Sequence, residues 1–135
     1  MIEIDTTIAP FKLNDQFGKE HNLNVLPKIL VCSFGKNTGK LISSYFEVQD
    51  KEYLSKHDIE LIADVSGVPS LLRKTIIVPK MKKYSFEILL STDKSFSQQF
   101  PTKEDNLTVL KLDSAVVKEI TFASDADELR DAIEG

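Results

Sequence analysis

The run KILVCSFGKNTGKLISS, Lys28 to Ser44, decides the fold. Its first part, Lys28 to Phe34, is apolar and bounded by Pro27 and Gly35. A short continuous run of that kind, with Ile and Val in it, reads as a strand buried on both faces. Gly35 and Gly39 then make a loop. Behind it Leu41, Ile42, Tyr45, Phe46 and Val48 recur at helical spacing. Asn37 or Thr38 is the expected cap of that helix, and Tyr53 and Leu54 are expected to close it. A glycine loop between a buried strand and a helix start is a place that can hold chemistry.

Working outward, Ile59 to Val65 (IELIADV) is a second buried-strand run. One helix fits between the two runs, which predicts a parallel pair with a right-handed crossover. On the N-terminal side, Phe11 to Val25 reads as a hairpin with Gly18 in the turn. On the C-terminal side, Val68 to Tyr84 has helical spacing, with Pro79 expected to break or bend it. Phe86 to Leu90 reads as a strand and Ser95 to Phe100 as a short helix stopped by Pro101. Thr108 to Leu112 and Val116 to Phe122 form a hairpin through Asp-Ser-Ala. Asp125 to Ile133 reads as a terminal helix, with Ser124 as its cap and Asp127 as a variant capping box. Periodicity alone therefore gives α/β, with residues 1–135 as one domain.

Composition narrows the function classes. The chain has 135 residues, 41% of them hydrophobic and 28% charged, with a net charge of -4. That balance gives no case for nucleic acid. No apolar run approaches the roughly 20 residues that cross a bilayer. The N-terminus lacks a basic segment followed by an apolar one, so no signal peptide is read there. With one cysteine, Cys32, no internal disulfide forms and no cysteine-based zinc site is available. His21 and His57 offer little for another metal. The expectation is a reduced, cytoplasmic protein with no cofactor and no metal.

Three segments carry a resemblance. APFKLNDQFGKEHNL, Ala9 to Leu23, resembles the opening segment of the peroxiredoxin and thiol-reductase branch of the thioredoxin-like superfamily. LTVLKLDSAVVKEITF, Leu107 to Phe122, resembles its closing hairpin, and DELRDAI, Asp127 to Ile133, its last helix. The resemblance implies a thioredoxin-like fold: a central mixed β-sheet flanked by helices, with an N-terminal β-hairpin extension. It also implies where a reactive cysteine would sit, at the helix start after the first long strand. Free backbone N–H groups and the helix dipole stabilise a thiolate there. The peroxidase pattern places its threonine at Thr38 and its cysteine at Leu41, and the preceding proline at Phe34. The redox-site cis-proline would fall near Asn106 or Leu107, where no proline stands. The framework resembles the family while its thiol chemistry is missing.

Cys32 lies mid-strand and reads as a small buried hydrophobe. It precedes Thr38 by six residues, about 20 Å of extended chain, and so lies beyond the helix-start activation. A Walker loop is also excluded by count. It needs four residues between its glycines, and Gly35 and Gly39 enclose three. Gly35, Lys36, Asn37, Thr38, Gly39 and Lys40 remain a candidate site for a small anion. Arg73, Lys74, Lys80, Lys82 and Lys83 put five basic residues in eleven with no acid among them. They are a candidate surface for an acidic protein partner or an anionic membrane face, or simply the solvated side of a helix. No long exposed apolar stripe is read anywhere, so the oligomeric state is left open. Three functions follow: a non-catalytic binding or regulatory module, a weak thiol-dependent antioxidant using Cys32, or an anion- or nucleotide-binding protein using the glycine loop.

Overall fold

A computed structural model describes residues 1–135, the side chain of Lys36 excepted. β3 (Ile29–Ser33) has all five residues buried. Side chains alternate across a strand, so Ile29 and Val31 join one apolar cluster while Leu30 and Cys32 join another. Such a strand needs a neighbour on each edge. β4 (Ile59–Asp64) pairs with it in parallel and β6 (Leu107–Asp113) antiparallel. β5 (Leu89–Ser91) extends the parallel side. The hairpin of β1 (Phe11–Asp15) and β2 (Glu20–Leu23) pairs beyond β5, and β7 (Val116–Ala123) beyond β6. The result is an open, mixed seven-stranded sheet in the order β2-β1-β5-β4-β3-β6-β7.

Helices follow from the patterns between the strands. α1 (Lys36–Glu47) and α2 (Tyr53–Lys56) connect β3 to β4. α3 (Ser70–Leu72), a π-helical turn (Arg73–Ile77) and α4 (Val78–Met81) run on from one another between β4 and β5. α5 (Lys94–Ser97) is short, and α6 (Ala126–Glu134) closes the chain. Ile42, Tyr45, Phe46, Leu129 and Ile133 cover Val31, Leu61 and Val109 on one face of the sheet. Tyr53 Oη donates to Glu134 Oε2 at 2.7 Å and lies 2.6 Å from Tyr45 Oη, which ties α1, α2 and α6 together. The other face is covered by Ile2 and Ile8 of the N-terminal arm and by Phe96 and Phe100 around α5.

Several local expectations change. α1 ends at Glu47, leaving Val48 78% exposed, and Tyr53 opens a separate helix. Gly35 caps α1, because the Thr38 hydroxyl reaches back to it from the third helical position. Asp125, not Ser124, caps α6 by accepting from the Glu128 N–H at 2.8 Å. Glu128, rather than Asp127, answers by accepting from Ser124 N at 2.7 Å. Pro79 sits inside helical structure. The π-turn before it bonds Val78 N to Arg73 O, five residues back, and the wider turn moves aside the carbonyl that a proline ring would strike. Gly18 takes φ +80° in the first hairpin, and Ser114 and Ala115 take φ 49° and 71° in the last.

β5 is shorter than its apolar run because the residues before it bond elsewhere. Gln16, 1% exposed, follows β1. Its amide nitrogen donates to Met81 O at 3.2 Å and Phe86 O at 2.7 Å, and its Oε1 accepts from Ile88 N at 2.9 Å. One buried side chain thus holds the end of α4 and the approach to β5. Gln16→Leu leaves Phe86 O and Ile88 N without their partner, while Met81 O keeps the bond from Tyr84 N. The variant is expected to lose about 1–3 kcal/mol of stability, measured by urea unfolding, with faster hydrogen exchange at the Ile88 amide. Unchanged stability and exchange would show that the clamp carries no load.

Candidate functional site

The loop after β3 is built around a hydroxyl cluster. Thr38 Oγ1 donates to Gly35 O at 2.7 Å and accepts from the Gly35 N–H at 3.3 Å. Ser33 Oγ lies 2.6 Å from it and donates into it. Ser33 and Thr38 are both buried. The arrangement closes the strand-to-helix turn with two hydroxyls. Leu41, where the sequence resemblance would place a reactive cysteine, packs its partly buried side chain on the core under α1. It supplies no nucleophile.

Cys32 lies on the opposite face of the sheet. It is 1% exposed, sits between Ile62 and Thr108 of the neighbouring strands, and belongs to the cluster with Leu30 and Leu110. Burial pushes its thiol well above the ordinary range. α1 packs on the other face, so Cys32 cannot reach the helix start whatever its distance along the chain. Asn106 and Leu107, near which the sequence resemblance would place a cis-proline, lie where β6 begins, and Leu107 is buried.

A cleft of about 460 Å³ opens on the α1 face where β3 and β4 end. Ligands favour this place in open α/β sheets, beyond the carboxyl ends of the strands. One wall is the glycine loop and first turns of α1: Gly35, Gly39, Lys40, Ile42 and Ser43. The floor is Ala63, Asp64 and Val65 at the end of β4, with Ile88. The far wall is Ile77, Lys80, Met81 and Tyr84. Asp64 is already engaged, since its Oδ1 accepts from Ser66 N at 3.0 Å and Ser97 Oγ at 2.8 Å. Burial raises the Tyr84 phenol, with Ser43 opposing. The cleft is therefore an apolar trough with Lys40 and Lys80 on its lining. Its volume lies within the range of about 300–1,000 Å³ typical of small-molecule sites.

The structure divides the sequence-predicted residues. Gly35, Gly39, Lys40 and Lys80 come together at the cleft. Asn37 and Thr38 turn instead to a hollow of about 220 Å³ beside Thr102–Asn106, where Asn37 Nδ2 donates to Asp105 Oδ1 at 2.9 Å. The Lys36 side chain lies outside the described residues. Arg73 is half-buried and donates to Val68 O at 3.0 Å. Lys74, Lys82 and Lys83 are exposed and outside the cleft lining. Of the basic run, Lys80 alone lines the cleft. The far wall was missed, although Ile77, Met81 and Tyr84 stand four and then three residues apart, a helical spacing that marks one face. An exposed apolar group also runs against expectation: Leu71 and Ile76 are 72% and 56% exposed on the outer side of the α3–α4 segment. Their share of the helix turns outward because Ile77 and Met81 take the inward positions. No helix among the described residues is long and apolar enough to cross a membrane.

No protein-family model matches the chain, and no curated protein does. Solved structures do. The peroxidoxin BcpB from Mycobacterium tuberculosis superposes with a TM-score of 0.65 at 16% identity, over 99% of this chain and 96% of that one. The thioredoxin domain of a thiol-disulfide oxidoreductase from Bacteroides vulgatus gives 0.61 at 9% identity, over 99% and 97%. A thiol peroxidase from Chromobacterium violaceum gives 0.55 at 16%, over 99% and 85%. The likeness is one of architecture: the chain has the thioredoxin-like fold, without a Cys-x-x-Cys pair.

The thiol's position gives a direct test. Cys32 is expected to resist iodoacetamide in the native protein from pH 7 to about pH 9, and to label at the ordinary rate for a free thiol, pKa about 8.5, once urea unfolds the chain. Fast native labelling, followed by mass spectrometry, would restore a redox reading.

Proposed function

We propose that this chain is a non-catalytic binding module, and that its ligand has an apolar body and an anionic head. The body lies along Ile42, Val65, Ile77, Met81 and Ile88, and the head meets Lys40 and Lys80. The observation that carries the reading is the meeting of the glycine loop and the α4 wall across one trough. The two lysines face a single lining carboxylate, Asp64, which is held by its own hydrogen bonds. That leaves net positive charge beside apolar surface, a pairing suited to a carboxylic acid rather than to a neutral lipid or a bare phosphate. The missing cysteine pair and the turned-away Cys32 support binding without thiol chemistry. The start of α1 favours an anion for the same reason that it would favour a thiolate in a redox relative.

Decanoate and decanol are suitable probes, because they share a chain and differ in head. Decanoate is expected to raise the melting midpoint in a concentration-dependent way, with decanol weaker. Lys40→Ala and Lys80→Ala should each weaken decanoate binding about two- to fivefold, the worth of a partly exposed charge pair. Ile77→Trp, which fills the trough, should abolish it. No shift with decanoate, or equal binding of both probes, would overturn the proposal.

A further inference from the structure

A second constellation lies away from the cleft, on the side of the sheet that carries the β1–β2 hairpin. Asp15 ends β1, His21 stands on β2, and Glu87 precedes β5 by two residues. His21 Nε2 is 2.7 Å from Asp15 Oδ2 and 3.3 Å from Glu87 Oε2, and the three ligand atoms lie within 4.8 Å of one another. Tetrahedral ligands on an ion held at about 2.0–2.2 Å stand about 3.3–3.6 Å apart, so a modest opening of the His21–Asp15 pair lets the set enclose one. A single N–H on Nε2 can serve one carboxylate well, yet two converge on it. Glu60 of β4 adds a third carboxyl to the neighbourhood, close enough to feel both His21 and Glu87.

We infer that Asp15 Oδ2, His21 Nε2 and Glu87 Oε2 bind a divalent transition-metal ion of the zinc type. The donor set suits that class. An imidazole nitrogen favours zinc over magnesium or calcium, and two carboxylates balance the charge of the ion. Asp15 is prepared as a ligand. Its side chain is fully buried, and its Oδ1 accepts from Phe17 N at 2.8 Å and Lys19 N at 3.0 Å, which fixes the direction of Oδ2. Glu87 is half-exposed and His21 18% exposed, so water completes the coordination from the open side. The three donors come from three segments that are separate in sequence. An ion there pins the hairpin to the Phe86–Ile88 segment that Gln16 also holds.

Calorimetric titration of the full chain with Zn²⁺, after chelator treatment, tests the site. Saturable binding of one ion is expected, together with a melting midpoint that rises with Zn²⁺ and falls back on adding EDTA. His21→Ala and Glu87→Gln should each lose that binding while keeping the native circular dichroism, since neither residue fills the core. Asp15 is left intact because its Oδ1 shapes the turn. Absence of saturable binding in the parent chain overturns the site, leaving a histidine–carboxylate ion pair. Unchanged affinity in either variant overturns it too, as does loss of binding in His57→Ala.

Discussion

Everything in this molecule is arranged around a strand that water cannot touch. All five residues of β3 are buried, so its backbone groups must be paired on both edges and its side chains packed on both faces. β4 and β6 meet the first demand, and the two apolar clusters meet the second. One consequence is directional. The chain leaves β3 at a fixed height and on a fixed face, with Ser33 turned toward α1 and Cys32 away from it. Helix start, cleft and thiol position are all settled by that alternation.

The strand-to-helix turn of this scaffold presents a rim. The turn after β3 is closed by Ser33 and Thr38 hydroxyls, and the next helical turn sends Leu41 toward the core. Opposite it stands a wall that belongs to the long middle segment, held from behind by Gln16. The helix terminus keeps its attraction for negative charge, but what faces it is an open apolar trough.

The parts of the fold written in continuous or alternating apolar runs were legible: β3, β4, the closing hairpin, the crossover helix and the order of elements. The thioredoxin-like fold was legible from three short segments, and the solved structures share that fold. Boundaries set by a single hydrogen bond were not. The Thr38 hydroxyl looked like a cap and works as the partner of one, and Asp125 outcompetes Ser124 because Glu128 sits three residues after it. β5 lost Phe86 to Ile88 to a glutamine seventy residues upstream, a contact no local pattern encodes. At the cleft, Lys40 and the glycines could be read, while Lys80 separated from its basic neighbours only once the helix direction was known. Asp15, His21 and Glu87 have no spacing rule at all; the sheet order brings them together.

The π-turn at Arg73–Ile77 also sets which residues of the segment face the sheet. A π-turn closes its hydrogen bond over one residue more than an α-turn does. Each residue advances an α-helix by about 100°. A chain lacking that residue would present a different face of α4 to the sheet, with Lys80 and Met81 swung out of the trough. The length of the α3–α4 segment therefore works as a discrete setting: removing one residue from it would turn the far wall away from the trough.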